Sequence, residues 1–321
     1  MKLVVISFCK NEAETISEVV KRIPKKINKI QTIETVVIDD GSEDNTSEVA
    51  KKAGAEVVQG SISKGVAFRF REAVNIALEK GADIMVNIDG DLQFAPEDIP
   101  KMVQPILNDE ADFVAADRFT NPETGEARRP KNMPLGKYIG NKLGARVTSK
   151  LAKRNFKDVT CGFRAYNREA LFALNTHGKH TYTQESFQLL SVKNLRIVTI
   201  PVVVKYYPGR KSRVVTSVFK YTFISALNIL RAYRDFAPLR FFFVIGLIPF
   251  IIGILCVGFL GVHYWNSGQF SPYKFVGFTG LYLISLSLFV WGLGIVADML
   301  VRILGNQEKT QEEIRRLRFK K

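Results

Sequence analysis

Apolar runs and charged helical stretches alternate from the first residue onward. Residues 2–8 (KLVVISF) read as a buried strand. NEAETISEVVKRI follows as an amphipathic helix, with Ile16, Val19, Val20 and Ile23 on one face and Pro24 as its stop. TVVIDDGSEDN is again a strand, ending in acid and glycine, and SEVAKKAG a helix closed by Gly54. EVVQG is a short strand, VAFRFREAVNIALEKG a helix with Gly81 at its C-terminal cap, and ADIMVNIDGD a further strand. Near-continuous apolar strands separated by helices predict an α/β domain with a mostly parallel sheet. Ligands of such sheets sit beyond the carboxyl ends of the strands. Three strands end there in polar clusters: Ser7 to Glu12, Asp39 to Ser42, and Asp89 to Gln93.

The pattern changes at Phe241. FFFVIGLIPFIIGILCVGFLGV carries no charge, and a second segment from Phe275 to Val301 is uncharged until Asp298. Both exceed the roughly 20 residues that cross a bilayer core, so two membrane spans are expected. Arg231, Arg234 and Arg240 precede the first span, while Arg302 and the basic tail follow the second. The connecting loop at 263–274 holds only Lys274. By the positive-inside rule both termini face the cytoplasm, with Tyr264, Trp265 and Tyr273 at the interface. The expected location is the cell membrane, multi-pass with two spans. Three scattered cysteines (Cys9, Cys161, Cys256) suit a reducing compartment and argue against a disulfide scaffold. Met1-Lys2 leads straight into a strand-like run, with no cleavage site for a signal peptide.

Charge narrows the partners. With 46 Lys and Arg against 31 Asp and Glu, the net charge is +15. Such an excess fits a polyanion: nucleic acid, anionic lipid or a phosphorylated substrate. Nucleic acid is set aside, because it would explain the charge but not the spans, and no base-reading module is present.

Asp89 and Asp91 stand one residue apart at the end of an apolar run. Like charges so close are costly unless a cation sits between them. Mg²⁺ or Mn²⁺ binds through one or two carboxylates and takes its remaining positions from water and substrate phosphates. Strand alternation would point Asp89 and Asp91 to one side, with Gly90 letting the backbone bend. Acids before PEDIPKMVQPIL also suit a helix N-terminus, so this pair alone leaves both readings open.

ISFCKNEAETI, TVVIDDGSEDNT, SKG at 63–65 and NIDGDLQ occur in order, and together resemble a family-2 glycosyltransferase of the GT-A fold. AADRF, DVTCGFRAYNREAL, YTQES and IPVVVKYYPGRKSRV further resemble the branch that makes polyprenyl-phosphate sugars, the dolichol-phosphate mannose synthase type. The likeness covers about residues 1–235 and implies a Rossmann-like mixed, mostly parallel sheet. Membrane helices after the catalytic domain also fit that branch.

The resemblance implies a role for each matching residue. Ser7, Asn11, Glu12, Asp39 and Asp40 would surround the nucleotide, with Lys64 near the diphosphate. The family usually has proline where the ISF segment stands, so this chain departs from it there. Asp89, Asp91 and Gln93 match the metal motif, with Gly90 where alanine is usual. Arg118, Arg128, Arg129 and Lys131 would meet the acceptor phosphate, which arginine can grip bidentately. Arg210, Lys211, Ser212 and Arg213 resemble a segment closing over the donor phosphates, with arginine at 213 where lysine is usual; lipid head groups are their other reading. Glu185 matches an acid near the acceptor side or supporting the arginines; Asp158 and Arg164 are structural in part, and the CGFR loop would shape the sugar pocket. Asp91, Arg118, Arg129 and Glu185 are the expected catalytic group.

The expected organisation is a cytoplasmic catalytic domain at 1–212, amphipathic juxtamembrane helices at 213–240, two spans within 241–301 and a basic cytoplasmic tail at 302–321. The expected reaction moves a hexose from UDP-glucose, UDP-N-acetylglucosamine or GDP-mannose to a polyprenyl phosphate, dolichyl or undecaprenyl, with inversion. A glycan or glycolipid hydroxyl as acceptor, with Glu185 or Asp117 as base, is the alternative; a nucleotide-sugar-binding scaffold without turnover is another. A homo-oligomer is compatible with either.

Overall fold

The computed structural model describes residues 1–176, 182–207, 234 and 237–319. The chain forms two compact units, one of Met1–Thr222 with Gln311–Lys321 and one of Phe223–Thr310. In the first, seven strands make a single sheet in the order β3-β2-β1-β4-β6-β5-β7. These are β1 (Lys2–Cys9), β2 (Thr32–Asp39), β3 (Glu56–Gln59), β4 (Ile84–Asp89), β5 (Phe113–Asp117), β6 (Arg164–Asn167) and β7 (Ile197–Pro201). All neighbours pair in parallel except β6, which runs antiparallel to both β4 and β5. The expected mixed, mostly parallel sheet is therefore present.

Helices cover both faces: α1 (Ile16–Arg22), α2 (Thr46–Lys52), α3 (Val66–Glu79), α4 (Ile99–Leu107), α5 (Leu135–Ala152), α6 (Arg168–Ala173) and α7 (Thr183–Val192). Alternating residues of β1 split between them. Val4 and Ile6 pack with Phe70 and Ala73 of α3, while Leu3 and Val5 pack with Met102 and Val103 of α4. This two-sided burial is why the strands read as continuous apolar runs.

In the second unit, α8 (Pro238–Ser267) and α9 (Lys274–Arg318) are each long and apolar enough to cross a membrane. The external loop expected at 263–274 is shorter, because α8 runs on to Ser267. The two helices touch backbone to backbone. A Cβ on Gly253 would lie 2.8 Å from the Gly280 carbonyl oxygen, and one on Gly280 equally close to that of Gly253. Small residues at such crossings let apolar helices associate in lipid. The Trp291 indole N–H donates to the Phe243 carbonyl at 3.2 Å and adds a polar tie.

The segment expected as a basic tail continues α9, and its last turns belong to the first unit. Glu312 pairs with Lys193 at 2.5 Å, and Arg316 pairs with Glu169 at 2.7 Å and covers the Phe172 ring. Arg315 donates to the carbonyls of Leu171, Phe172 and Leu174, buried acceptors at the C-terminal end of α6 that the helix itself leaves unpaired. Glu312, Arg315 and Arg316 of the tail are thus spent on α6 and the end of α7.

Candidate active site

Register brings the three polar clusters to one edge. Cys9 lies opposite Asp39, and Phe8 opposite Asp89, so β2, β1 and β4 end together. The Asp40 N–H donates to the Cys9 carbonyl and the Gly90 N–H to that of Phe8, which carries the alignment just past the strands. The Thr15 hydroxyl donates to the Gly90 carbonyl at 2.7 Å and fixes the turn after β4 against the start of α1.

Among the residues expected to hold the nucleotide, several are occupied in building this edge. The Asp39 carboxylate accepts from the Ser42 N–H and hydroxyl and from the Ser47 hydroxyl. Asp40 accepts from the Ser63 hydroxyl, the Lys64 and Gly65 N–H groups and the buried Arg69 guanidinium. Burial works against the Asp40 charge, but these donors hold its pKa below the usual range. Both acids therefore shape the loops around the edge. Ser7 is fully buried inside β1 against the Cys9 sulfur and supports the edge from within. Asn11, at φ 53°, accepts the Glu43 N–H through its side chain and donates its own N–H to Ser42. The Glu12 N–H donates to Thr46, so β1 and α2 are tied at the same point. Lys64 is exposed and lays its ammonium over the Phe68 ring.

Asp89 closes β4, whereas Asp91 lies in the following turn, with Leu92 at φ 58°. Strand alternation therefore does not bring the two carboxylates together; the turn does. Burial and the neighbouring Asp91 carboxylate push Asp89 up to about 7, against the pull of Arg118. A proton or a cation relieves that repulsion. Among the described residues no group of three or more His, Cys, Asp or Glu makes a ready metal cage. Two carboxylates are the donor set a hard divalent cation accepts when water and phosphate supply the rest, so the pair fits Mg²⁺ or Mn²⁺. Gln93 donates its backbone N–H to Asp91, and its carbonyl accepts from Lys205. Gln93 also lines a small cleft with Arg22, Asp98 and Tyr207, a cleft that neither aspartate lines.

Metal uptake at this pair would have to displace the Asp89 proton. Affinity for Mn²⁺, titrated calorimetrically, is expected to fall about tenfold per pH unit below 7 and to level off above it. The metal-free fold should show the opposite slope. Folded Asp89 keeps a proton that the unfolded chain has already released, so stability falls as pH rises from the ordinary carboxylate range to about 7.

Two glycines clear the ground beside the pair. A Cβ on Gly162 would lie 3.0 Å from Asp89 Oδ2, and one on Gly90 would lie 2.4 Å from the Cys9 sulfur. Here the Cys9 side chain fills the space that the alanine usual at position 90 would take. Gly90→Ala should therefore cost about 1–3 kcal/mol by overpacking, and Cys9→Ala in the same chain should recover most of it. Thermal unfolding of the two single variants and the double variant reads this coupling.

The basic side departs from expectation at Arg118. Its guanidinium grips Asp158 bidentately at 2.6 and 2.9 Å and also donates to Thr160 and the Tyr206 hydroxyl. The fork expected to hold a lipid phosphate is thus spent on a carboxylate. Arg128 donates to the carbonyls of Arg118 and Val202 and ties its loop to the end of β7. Arg129 and Lys131 are exposed on that loop. A cation that sequence reasoning did not single out is Lys137, in the first turn of α5. Burial and the Arg118 charge lower its pKa, while Asp91 and Asp89 pull it back up, so the ammonium shares one field with the carboxylate pair. It also lies over the Tyr206 ring at 5.1 Å.

Glu185 opens α7, three residues after Tyr182. The Tyr182 ring stacks on Phe70, and Asn87 donates to both its hydroxyl and the Gly162 carbonyl. Asp117 is buried, with its carboxylate accepting from the Phe119 N–H and the Thr120 hydroxyl. Arg210, Lys211, Ser212 and Arg213 lie outside the described residues, as does nearly all of the expected juxtamembrane helix.

Comparison with known proteins places this edge in a family. Residues 4–173, more than half of the chain, match the model for Glycosyl transferase family 2. The chain belongs to that family. A UDP-N-acetylglucosamine–dolichyl-phosphate N-acetylglucosaminyltransferase of Methanococcus voltae is 31% identical over 205 residues, covering 57% of this chain and 80% of that protein. An undecaprenyl-phosphate 4-deoxy-4-formamido-L-arabinose transferase of Pectobacterium carotovorum is 24% identical over 315 residues, 91% of this chain and 86% of that protein. Among solved structures, glucosyl-3-phosphoglycerate synthase of Mycobacterium tuberculosis, in complex with Mn²⁺, UDP-glucose and phosphoglyceric acid, matches with a TM-score of 0.54 at 20% identity. It covers 71% of this chain and 79% of its own, and shows that this family-2 member has the GT-A fold.

Proposed function

We propose that this family-2 glycosyltransferase moves a hexose from a nucleotide diphosphate sugar to a polyprenyl phosphate at the cytoplasmic face of the cell membrane. The observation that carries the reading is the carboxylate pair Asp89 and Asp91 at the shared end of β1, β2 and β4, with half-buried Lys137 within its electrostatic reach. A carboxylate pair serves the donor's diphosphate, and a cation beside it serves a second anion, the acceptor phosphate. Relatives named for dolichyl and undecaprenyl phosphate support this class of acceptor.

The chemistry asks little of a base. A phosphate monoester has its second pKa near 6, so its attacking oxygen is already largely anionic. That oxygen forms a bond to the anomeric carbon as the bond to the nucleotide diphosphate breaks, and configuration inverts. A bound Mg²⁺ or Mn²⁺ would supply neutralisation of the departing diphosphate. The protein's work is to position two anions and keep them from repelling. Lys137 offsets the acceptor charge, and Arg118 holds the Asp158–Thr160 loop beside it. Asp117, whose carboxylate is occupied locally, is poorly placed for the base that a hydroxyl acceptor needs.

Support for the topology comes from the last turns of α9, which share a compact unit with the catalytic domain. Two crossings between them return the chain to the side it left, with both termini in the cytoplasm.

The test uses detergent-purified protein, a polyprenyl phosphate and a panel of labelled UDP- and GDP-sugars, with and without EDTA. Label entering the lipid phase from one donor, and lost with EDTA, names the sugar and establishes the reaction. Transfer only to hydroxyl acceptors would overturn the polyprenyl-phosphate reading.

A further inference from the structure

Opposite its packed face, α5 carries Leu135, Ile139 and Leu143, which are 56%, 56% and 49% exposed. A spacing of four residues sets them on successive turns as one stripe. Exposed Arg146 and Lys150 continue the helix surface beyond it. The packed face is well made: Asn141, Ala145 and Thr148 are buried, and Gly144 lies against Gln184 of α7. The stripe is therefore not needed to hold the helix. A lone exposed leucine is ordinary, but three in line on a helix are not.

From Ala127 to Ala152 the chain has Arg128, Arg129, Lys131, Lys137, Lys142, Arg146 and Lys150 and no acid. An apolar stripe on a segment whose only charges are cationic complements an anionic, apolar-cored surface. We propose that α5 docks on the anionic headgroup layer of a bilayer, with Leu135, Ile139 and Leu143 entering the boundary with the acyl chains. The helix that offers Lys137 to the carboxylate pair also carries the stripe from its first turn. The acceptor phosphate would then reach Lys137 along a surface already seated in lipid. The inference rests on the membrane-bound reading above, but not on the transfer chemistry.

The test places an environment-sensitive fluorophore at Ile139→Cys in the full chain, with Cys256→Ser so that only buried native cysteines remain. The protein is reconstituted in nanodiscs of phosphatidylcholine and phosphatidylglycerol containing spin-labelled lipid. Quenching and a blue shift at position 139, with none for the same label at Lys52→Cys, are expected whether or not sugar is transferred. An unquenched label at 139 overturns the proposal, and cross-linking of two copies through that position would assign the stripe to self-association instead. A second arm replaces Leu135, Ile139 and Leu143 with serine. Transfer to a long-chain acceptor in nanodiscs should fall several-fold, with transfer to a short, soluble prenyl phosphate unchanged. An equal loss with both acceptors would also overturn it.

Discussion

Asp91→Ala is expected to lower sugar transfer about 10³-fold while leaving the thermal midpoint of the protein within a degree or two. The reasoning starts from position. Asp91 is half-exposed on the turn after β4, outside the sheet and its core. Its carboxylate accepts the Gln93 N–H at 3.1 Å, a contact whose loss costs little at a partly solvated site. Its charge, by contrast, is one of the two main reasons that Asp89 is pushed up to about 7. Removing it should return Asp89 toward the ordinary carboxylate range and leave a single carboxylate for the cation. Activity at saturating Mn²⁺, the pH dependence of Mn²⁺ affinity and the unfolding midpoint should therefore move differently. Transfer within a few-fold of the parent protein would show that the pair is not the metal site. Asp89→Ala is a less clean probe, because that carboxylate also packs against Gly162.

The frame of the fold was legible because strands buried on both faces leave continuous apolar runs, and β1, β2 and β4 are of that kind. The antiparallel β6 was not, since the four residues RAYN carry no period and gain their place only by pairing with Met85 and Val114 on either side. The site edge was legible for a related reason: polar residues that end several strands must meet where the strands end. The partners of those residues were hidden. Arg118 looks like a phosphate ligand until Asp158, forty residues later, is found in its fork. Asp39 and Asp40 look like ligand contacts until Ser42, Ser47 and Arg69 are found satisfying them. Lys137 reads as one solvated lysine among many on a basic helix, and only the packing of α5 half-buries it within the field of two carboxylates. The tail looked free because Glu312 and Arg316 find Lys193 and Glu169 more than a hundred residues earlier, a separation that no local pattern registers.

Asp158→Ala is expected to destabilise the protein by about 3–5 kcal/mol, the largest effect on stability among these substitutions. Asp158 is fully buried and Arg118 6% exposed, and the pair is joined by two charge-assisted hydrogen bonds. Taking both charges out of water is costly, so the intact pair adds little net stability. Removing one partner is different, because it strands the other's charge in the interior. Asp158→Leu together with Arg118→Met should therefore recover much of the loss in thermal unfolding, which a simple cavity at position 158 would not allow. Burial alone would raise the Asp158 pKa, but Arg118 overrides it and holds it below the usual carboxylate value. The unfolded chain therefore binds this proton first as pH falls. The stabilisation is present above the usual carboxylate range and is lost as pH drops through the depressed folded value, so acid unfolding should begin earlier in the parent than in the double variant. Recovered stability should not restore transfer. Without the ion pair, Thr160 and Tyr206 lose their shared donor, and the loop beside Lys137 and Asp89 is no longer held. A double variant as active as the parent would show that Arg118 serves the fold alone.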